Sequence, residues 1–273
     1  MKVDAESDEA ALTQLRGEWD LHLCKAEGAY QKLKEDTAIA KSDPNVEVLT
    51  FDLEQSLPTP ELSTNVVYYK RQLWTYNLGV HRGKTDVGHM YLWHKGLASR
   101  GSHEISSCLL KHLSTTNPTA DHLTTYSDSC GGQNRKVYVL SLWLHIVSSE
   151  EYSFTTVDQK FMVVGHSHLP NDREFGRIES ARRKAQHIYV PHDWCELILK
   201  ARRQNPFVVV EMSREDFVSC ENLAKAFINR KKDTAGRKVD WLKDKSHQGS
   251  TSEISLSILL EWAWSLEGGG LEM

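Results

Sequence analysis

The feature of this sequence that most restricts its fold is the order in which strand-like and helix-like patterns follow one another after residue 45. The β-rich runs are 46–52, 73–81, 87–94, 122–126 and 154–164. Helical periodicity is found near 102–113, 132–147 and 170–186. The turn sequence Arg-Gly-Lys-Thr at 82–85 predicts that the second and third strands form a hairpin. The predicted order is therefore β-β-β-α-β-α-β-α.

Three meandering strands followed by crossover units are the ribonuclease H topology, an α/β fold with a five-stranded mixed sheet and helices on both faces. We therefore predict a ribonuclease-H-like domain over residues 46–189. An N-terminal helical segment at 8–42 precedes it, with an apolar stripe that we expect to dock on another surface and not to stand alone. A C-terminal α/β extension is predicted at 190–243, and the atypical tail at 244–273 is expected to be a poorly ordered appendage.

Composition bears on location and on partners. No apolar run approaches the roughly 18 residues of a membrane span, and the acidic start is unlike a signal peptide. We therefore expect an intracellular protein with reduced cysteines and no membrane partner. The net charge is −4, but residues 173–203 carry 8 basic and 4 acidic side chains. This excess indicates either a phosphate-binding face or ordinary solvated helix surfaces.

Two aspartates stand where predicted strands end. Asp52 closes the first strand, and Asp128 follows the fourth, just before a Gly-rich turn. These strands are expected to be neighbours, which would bring both carboxylates to one sheet edge. Two-metal phosphodiester chemistry needs carboxylates that converge in this way, because Mg²⁺ and Mn²⁺ prefer oxygen ligands. Turn or cap formation is the alternative role for each residue.

Further candidate ligands lie at predicted helix starts. Glu104 is in the first turn after the third strand, where it would serve the metals or only the helix dipole. Asp172 and Glu179 are seven residues apart and share a helix face, and Asp172 is the preferred ligand because it is nearer the strand end. His166 and His168 are alternate metal ligands, or contact phosphate or relay a proton, or are purely structural.

Several blocks resemble a known group of domains. They read TFDLEQSLPTPELS, YYKRQLWTYNLGVH, SRGSHEISSCLLKHL, YSDSCGGQNR, VGHSHLPNDREFGRIE and VVVEMSREDF. Over residues 20–243 the chain is similar to an uncharacterised family of transposon-derived, ribonuclease-H-like domains dispersed through animal genomes. The resemblance implies a DDE-type polynucleotidyl transferase ancestry, with Asp52, Asp128 and Asp172 as the matching acids. The similarity stops after Lys243, which suggests a truncated or aberrantly spliced copy.

The preferred hypothesis is a nuclease or strand-transferase core that acts on DNA in the nucleus with two Mg²⁺ or Mn²⁺ ions. A domesticated copy that binds DNA or protein without catalysis is the main alternative, and homo-oligomerisation stays open. A calcineurin-like metallophosphoesterase is a third possibility, because of the Gly-His-Ser-His run at 165–168, but that family's other motifs are missing. The residues predicted to hold DNA phosphates are Arg173, Arg177, Arg182, Arg183 and Lys184.

Overall fold

The computed structural model describes residues 2–62, 72–129, 137–163, 165, 168–185, 187–227 and 252–255, and side chains in all of these except 2–8, 10, 226–227 and 252–255. The helices are α1 (Lys2–Ser42), α2 (Ser102–Thr116), α3 (Val137–Ser148), α4 (Pro170–Arg182), α5 (Pro191–Ala201) and α6 (Glu221–Phe227). The strands are β1 (Val46–Leu53), β2 (Leu57–Thr59), β3 (Glu61–Leu62), β4 (Leu73–Arg82), β5 (Val87–His94), β6 (His122–Ser127), β7 (Thr156–Phe161), β8 (His187–Ile188), β9 (Val208–Glu211) and β10 (Ser252–Ser255).

These elements build an α/β fold around one mixed sheet. Its strand order is β10-β7-β6-β1-β4-β5-β9, and β2 pairs with β4 beside this path. The strands β1, β6 and β7 are parallel, and β4 runs antiparallel to both β1 and β5. The predicted β-β-β-α-β-α-β-α order is confirmed. The sheet is wider than the predicted five strands, because β9 adds in parallel to β5 and β10 pairs with β7.

The central strand β1 is covered on both faces, which explains why its sequence is almost continuously apolar. Leu49 and Phe51 point into a core formed with α2 and α3. Val48, on the opposite face, packs in a cluster with Leu33 of α1. The helices α4 and α5 close the same face as α1 further along the sheet, around Trp194. Since alternate residues of a strand face opposite sides, the even-numbered residues of β1 face α1 and α4.

The helix α1 follows the predicted apolar stripe but packs only with its C-terminal half. Leu33 and Ala40 are buried against the sheet. Leu12, Leu15 and Trp19 continue the stripe, yet each of them is more than half exposed. The 41 residues of the helix correspond to a length of about 60 Å, so it extends well beyond the domain. The expected docking is therefore confined to the residues near the sheet.

One element begins later than its sequence pattern indicates, and other predictions fall outside the described residues. The pattern Ser213-x-x-Asp216 is typical of a helix start, but it caps the 3₁₀ turn Arg214–Asp216, and α6 begins only at Glu221. The order of the tail remains a prediction, because only Ser252–Ser255 of it is described. The four cysteines in the described part of the chain are free, as expected. None of the helices described has the length and apolar character of a membrane span.

Candidate functional site

Asp52 and Asp128 lie side by side at the carboxyl ends of two parallel strands. In the pairing of β1 with β6, Phe51 lies opposite Ser127, and each aspartate is the next residue along its chain. The predicted neighbourhood of these two strands is therefore confirmed. Both side chains follow the alternation that places Val48 and Tyr126 on the α1 face, so they emerge on one side of the sheet.

Asp172 reaches this edge because a buried amide holds the start of α4 against the sheet. The Asn171 side chain accepts a 2.5 Å hydrogen bond from the Thr50 hydroxyl and donates one of 2.9 Å to the carbonyl of Gly79. Asn171 is fully buried. A Cβ atom at Gly79 would lie 2.9 Å from the ring of Phe175, so a glycine is needed for this close approach. Asp172 is thus placed by its preceding residue.

The charges of the three aspartates act on one another. Burial, together with the smaller effects of the charges of Asp128 and Asp172, raises the pKa of Asp52 to about 7. The Leu53 amide, which donates a 2.8 Å hydrogen bond to Asp52, opposes this rise, as does the charge of Arg100. Such mutual repulsion requires the carboxylates to be near one another in a poorly hydrated place.

The cluster is nevertheless open. Among the described residues, no set of three potential ligands that includes these aspartates has its ligand atoms all within 4.8 Å of one another. Asp172 also has a local role, because its Oδ2 accepts a 2.7 Å hydrogen bond from the Leu169 amide at the start of α4. Repulsion between carboxylates favours this separation until a cation compensates the charge.

Asp172 and Glu179 act on different acids. The carboxylate of Asp172 acts on Asp52, whereas that of Glu179 acts on Glu54 and pairs with Arg182 and Arg183. Both acids share the face of α4 that was predicted for them. Asp172 is the one at the Asp52 cluster.

Glu104 has partners within its own part of the fold. It lies at the start of α2, on the other face of the sheet from the α1 and α4 side, and its Oε1 accepts a 3.1 Å hydrogen bond from the Ser99 amide. Its charge raises the pKa of the buried thiols of Cys108 and Cys220, after the larger effect of their burial. The observed role is therefore local, and a metal role for Glu104 remains a prediction.

Glu54 is an acid that the sequence argument did not select. It is buried, and it accepts a 2.8 Å hydrogen bond from the amide of Asn77. Burial raises its pKa to about 7. Its position two residues after Asp52 in an extended run was the available signal. Its partner lies 23 residues further along the chain, which no local pattern indicates.

The predicted basic residues differ in their surroundings. Arg182 is held in place, because it makes ion pairs with Glu61 at 2.8 Å and with Glu179 at 3.1 Å. Those two pairs raise the pKa of Arg182 above its usual value. The predicted basic residues that are exposed, on α4 or just after it, are Arg173, Arg177, Arg183 and Lys184.

A cleft of about 930 Å³ lies between α1 and the start of α4, beside the aspartates. Asp172 and Thr50 are among its lining residues, Lys34, Lys41 and Arg173 contribute positive charges, and Glu27 and Asp86 contribute negative ones. His168 also lines it, in a left-handed backbone conformation with φ of 33°. His166 lies outside the described residues. The cleft is therefore lined both by cationic side chains and by Asp172, which is one member of the carboxylate cluster.

Residues 70–253 match the family model of a domain of unknown function, DUF7869. Because this match covers more than half of the chain, the chain belongs to that family. No curated protein and no solved structure matches the chain. The matched region includes Asp128, Asp172 and Glu104, while Asp52 precedes it.

Proposed function

We propose that this chain is a metal-dependent nuclease or strand-transferase core of the ribonuclease-H-like type, of transposase descent, which acts on DNA in the nucleus. The observation that carries the proposal is the convergence of Asp52, Asp128 and Asp172. These residues come from two parallel strands and one helix, and they meet on one face at one edge of the sheet. Dispersed acids brought together in this way are what two-metal phosphodiester chemistry requires.

The strand order supports the ribonuclease-H-like part of the proposal. Within the wider sheet, the path β7-β6-β1-β4-β5 has an antiparallel meander on one side of β1 and parallel crossover strands on the other. This is the five-stranded arrangement expected from the element order. The added strands β9 and β10 extend its two edges.

The donor set suits a hard divalent cation. Carboxylate oxygens are the preferred ligands of Mg²⁺ and Mn²⁺, and Asp52, Asp128 and Asp172 would hold the ions. The burial and repulsion that raise the pKa of Asp52 to about 7 are what a bound cation would offset. When bound, such ions activate a water or hydroxyl and stabilise the leaving oxygen.

Other residues of the chain would position the reacting strand. Lys34, Lys41 and Arg173 would bind phosphates along the cleft that Asp172 also lines. The Thr50–Asn171 hydrogen bond would keep Asp172 in register with Asp52. Exposed Arg177 and Lys184 would lengthen the cationic path along α4.

The direct test incubates the purified chain with labelled single- and double-stranded DNA in Mg²⁺, Mn²⁺ or EDTA. We expect cleavage or strand transfer only with metal, and we expect Asp52→Asn and Asp128→Asn to abolish it. Glu54→Gln is the matched control, since it neutralises a buried acid of similar pKa outside the cluster. DNA binding without any metal-dependent cleavage would instead favour the non-catalytic alternative. Full activity of Asp52→Asn would show that the site is wrongly placed.

A further inference from the structure

A second group of metal-binding side chains lies away from the aspartates, where α5 meets β9. His192 and Cys195 are three residues apart at the start of α5, so they point to the same side of the helix. Glu211 is the last residue of β9, against which α5 packs. One ligand atom from each of these three residues lies within 4.8 Å of the other two.

We propose that His192, Cys195 and Glu211 bind a Zn²⁺ ion. The set offers one nitrogen, one sulfur and one oxygen donor, and zinc, being of borderline softness, accepts all three. The usual bond lengths of about 2.0–2.3 Å place tetrahedral ligand atoms roughly 3.3–3.8 Å apart. The three ligand atoms, which all lie within 4.8 Å of one another, therefore need only small side-chain shifts to reach this spacing, with the fourth position left to water.

The arrangement of the three groups favours an ion that enters from solvent. The Nδ1 of His192 already lies 2.9 Å from Oε2 of Glu211, and both side chains are more than half exposed. Cys195 is buried at 5% exposure within the α5 core, so its helix fixes the position of the sulfur. An ordinary surface ion pair needs only the histidine and the glutamate. The thiol within the same small sphere is the feature that indicates a metal.

The site is distinct from the aspartate cluster, although it lies at the same edge of the sheet. The strands β1, β5 and β9 run in the same direction, so their carboxyl ends share that edge. Three strand spacings separate β9 from β1, which corresponds to about 14 Å. A thiolate ligand disfavours Mg²⁺, so the two sites would select different ions. Zinc would tie the start of α5 to the outer strand of the sheet.

Cobalt substitution of the full-length chain tests the proposal, because Co²⁺ bound to a thiolate gives a near-ultraviolet charge-transfer band that carboxylates do not give. We expect one equivalent of Co²⁺ to produce this band and one equivalent of Zn²⁺ to remove it. Changes to outer-shell partners alone weaken metal sites about 10–100-fold. We therefore expect His192→Ala and Glu211→Gln to weaken Zn²⁺ binding by at least about 100-fold.

Matched variants separate this site from other thiols and from the aspartates. Cys24→Ser changes an exposed cysteine of α1 and should leave the band intact, as should Asp52→Asn, whatever the fate of nuclease activity. Cys195→Ala should abolish the band. Glu211→Gln, at an exposed position, gives the same test should the buried cysteine variant fail to fold. The proposal is overturned if the folded parent gives no thiolate band, or if Glu211→Gln and His192→Ala bind Zn²⁺ as tightly as the parent.

Discussion

At the scale of single residues, two neighbouring acids have raised pKa values for partly different reasons. Burial is the largest cause for both Asp52 and Glu54. The charges of Asp128 and Asp172 also raise the pKa of Asp52. The charge of Glu179 also raises the pKa of Glu54, while the hydrogen bond from Asn77 acts to lower it. The two residues therefore share a pH response but differ in their expected response to metal.

Asp52→Asn should stabilise the metal-free protein at pH 8 and have little effect near pH 4. The folded pKa of Asp52 is about 7, above an unfolded value of about 3.9, so the folded state holds a proton that the unfolded state releases. The free energy of unfolding therefore falls as pH rises between these values, by up to a few kcal/mol. Asparagine has nearly the same shape as aspartate but does not ionise, so the variant does not undergo this fall in the free energy of unfolding. Thermal denaturation from pH 4 to 8, without metal, measures the difference.

Glu54→Gln should show the same pH-dependent gain, because the pKa of Glu54 is also about 7. Metal separates the two variants. Mn²⁺ should raise the melting temperature of the parent and of Glu54→Gln through binding to the folded state, but not that of Asp52→Asn. A metal response in Asp52→Asn equal to that of the parent would contradict the assigned cluster.

The arginines of α4 should also fall into two groups. Arg182→Ala should destabilise the fold by roughly 1–3 kcal/mol, because it removes charged hydrogen bonds to Glu61 and Glu179.

Arg173→Ala with Arg177→Ala should leave stability nearly unchanged, since both side chains are exposed. This double variant should weaken DNA binding. It should also make the slope of log K against log salt concentration shallower by about 0.9 for each phosphate contact that is lost. Melting curves and binding isotherms at several salt concentrations distinguish the groups.

At the scale of elements, α1 is anchored by its second half. Asp36 accepts hydrogen bonds of 2.6 Å from Tyr126 and 2.7 Å from Lys160, which joins α1 to β6 and β7. Burial acts to raise the pKa of Asp36, but these partners outweigh it and the pKa is lowered. Leu33, Lys34 and Lys41 of the same half of α1 line the cleft beside Asp172. The helix is therefore part of the proposed site.

The two halves of α1 should respond differently to the same truncation. Leu33→Ala removes a buried side chain from the cluster around Val48 and should cost about 2–5 kcal/mol. Leu15→Ala, in the exposed half, should change stability by less than about 0.5 kcal/mol. Chemical denaturation measures both changes. Equal losses would mean that the exposed part of the stripe is covered in solution.

At the scale of the whole molecule, the sheet continues on both sides of its predicted five strands. β10 pairs antiparallel with β7, through Ser252 to Ser255 opposite Phe161 to Asp158. The sequence alone predicts that residues 244–273 are an appendage without a partner element. Removal of such an appendage would leave the thermal transition almost unchanged. A strand that covers the edge of β7 changes that expectation.

Deletion of residues 246–273 should lower the melting temperature by a few degrees, because it uncovers the hydrogen-bonding edge of β7. Deletion of 256–273 is the matched control, because it keeps β10 and should leave the transition where it is. Thermal denaturation of the parent and both truncations decides the point. If deletion of residues 246–273 leaves the transition unchanged, the sequence-based prediction that the tail is an appendage would be supported.

The sequence by itself determined the order of the elements and the places of the two strand-end aspartates. Strand and helix periodicities are local, so they could be read at β1, β6 and α4 without knowledge of the fold. Asp52 and Asp128 end neighbouring strands because crossover connections have few alternatives. Asp172 was preferred to Glu179 for its closeness to the strand end, and its charge does act on Asp52.

Only the tertiary structure decided which face each helix covers and which distant residues meet. Glu104 has the expected position in its helix, but α2 packs on the face opposite the aspartates. Arg182 pairs with Glu61, 121 residues away, and Glu211 reaches His192 through the packing of α5 on β9. Short-range patterns specify elements, whereas contacts across long chain separations depend on how the whole set of elements buries its apolar surface. For that reason no signal in the sequence indicated the candidate zinc site or the pairing of β9 and β10 with the outer strands of the sheet.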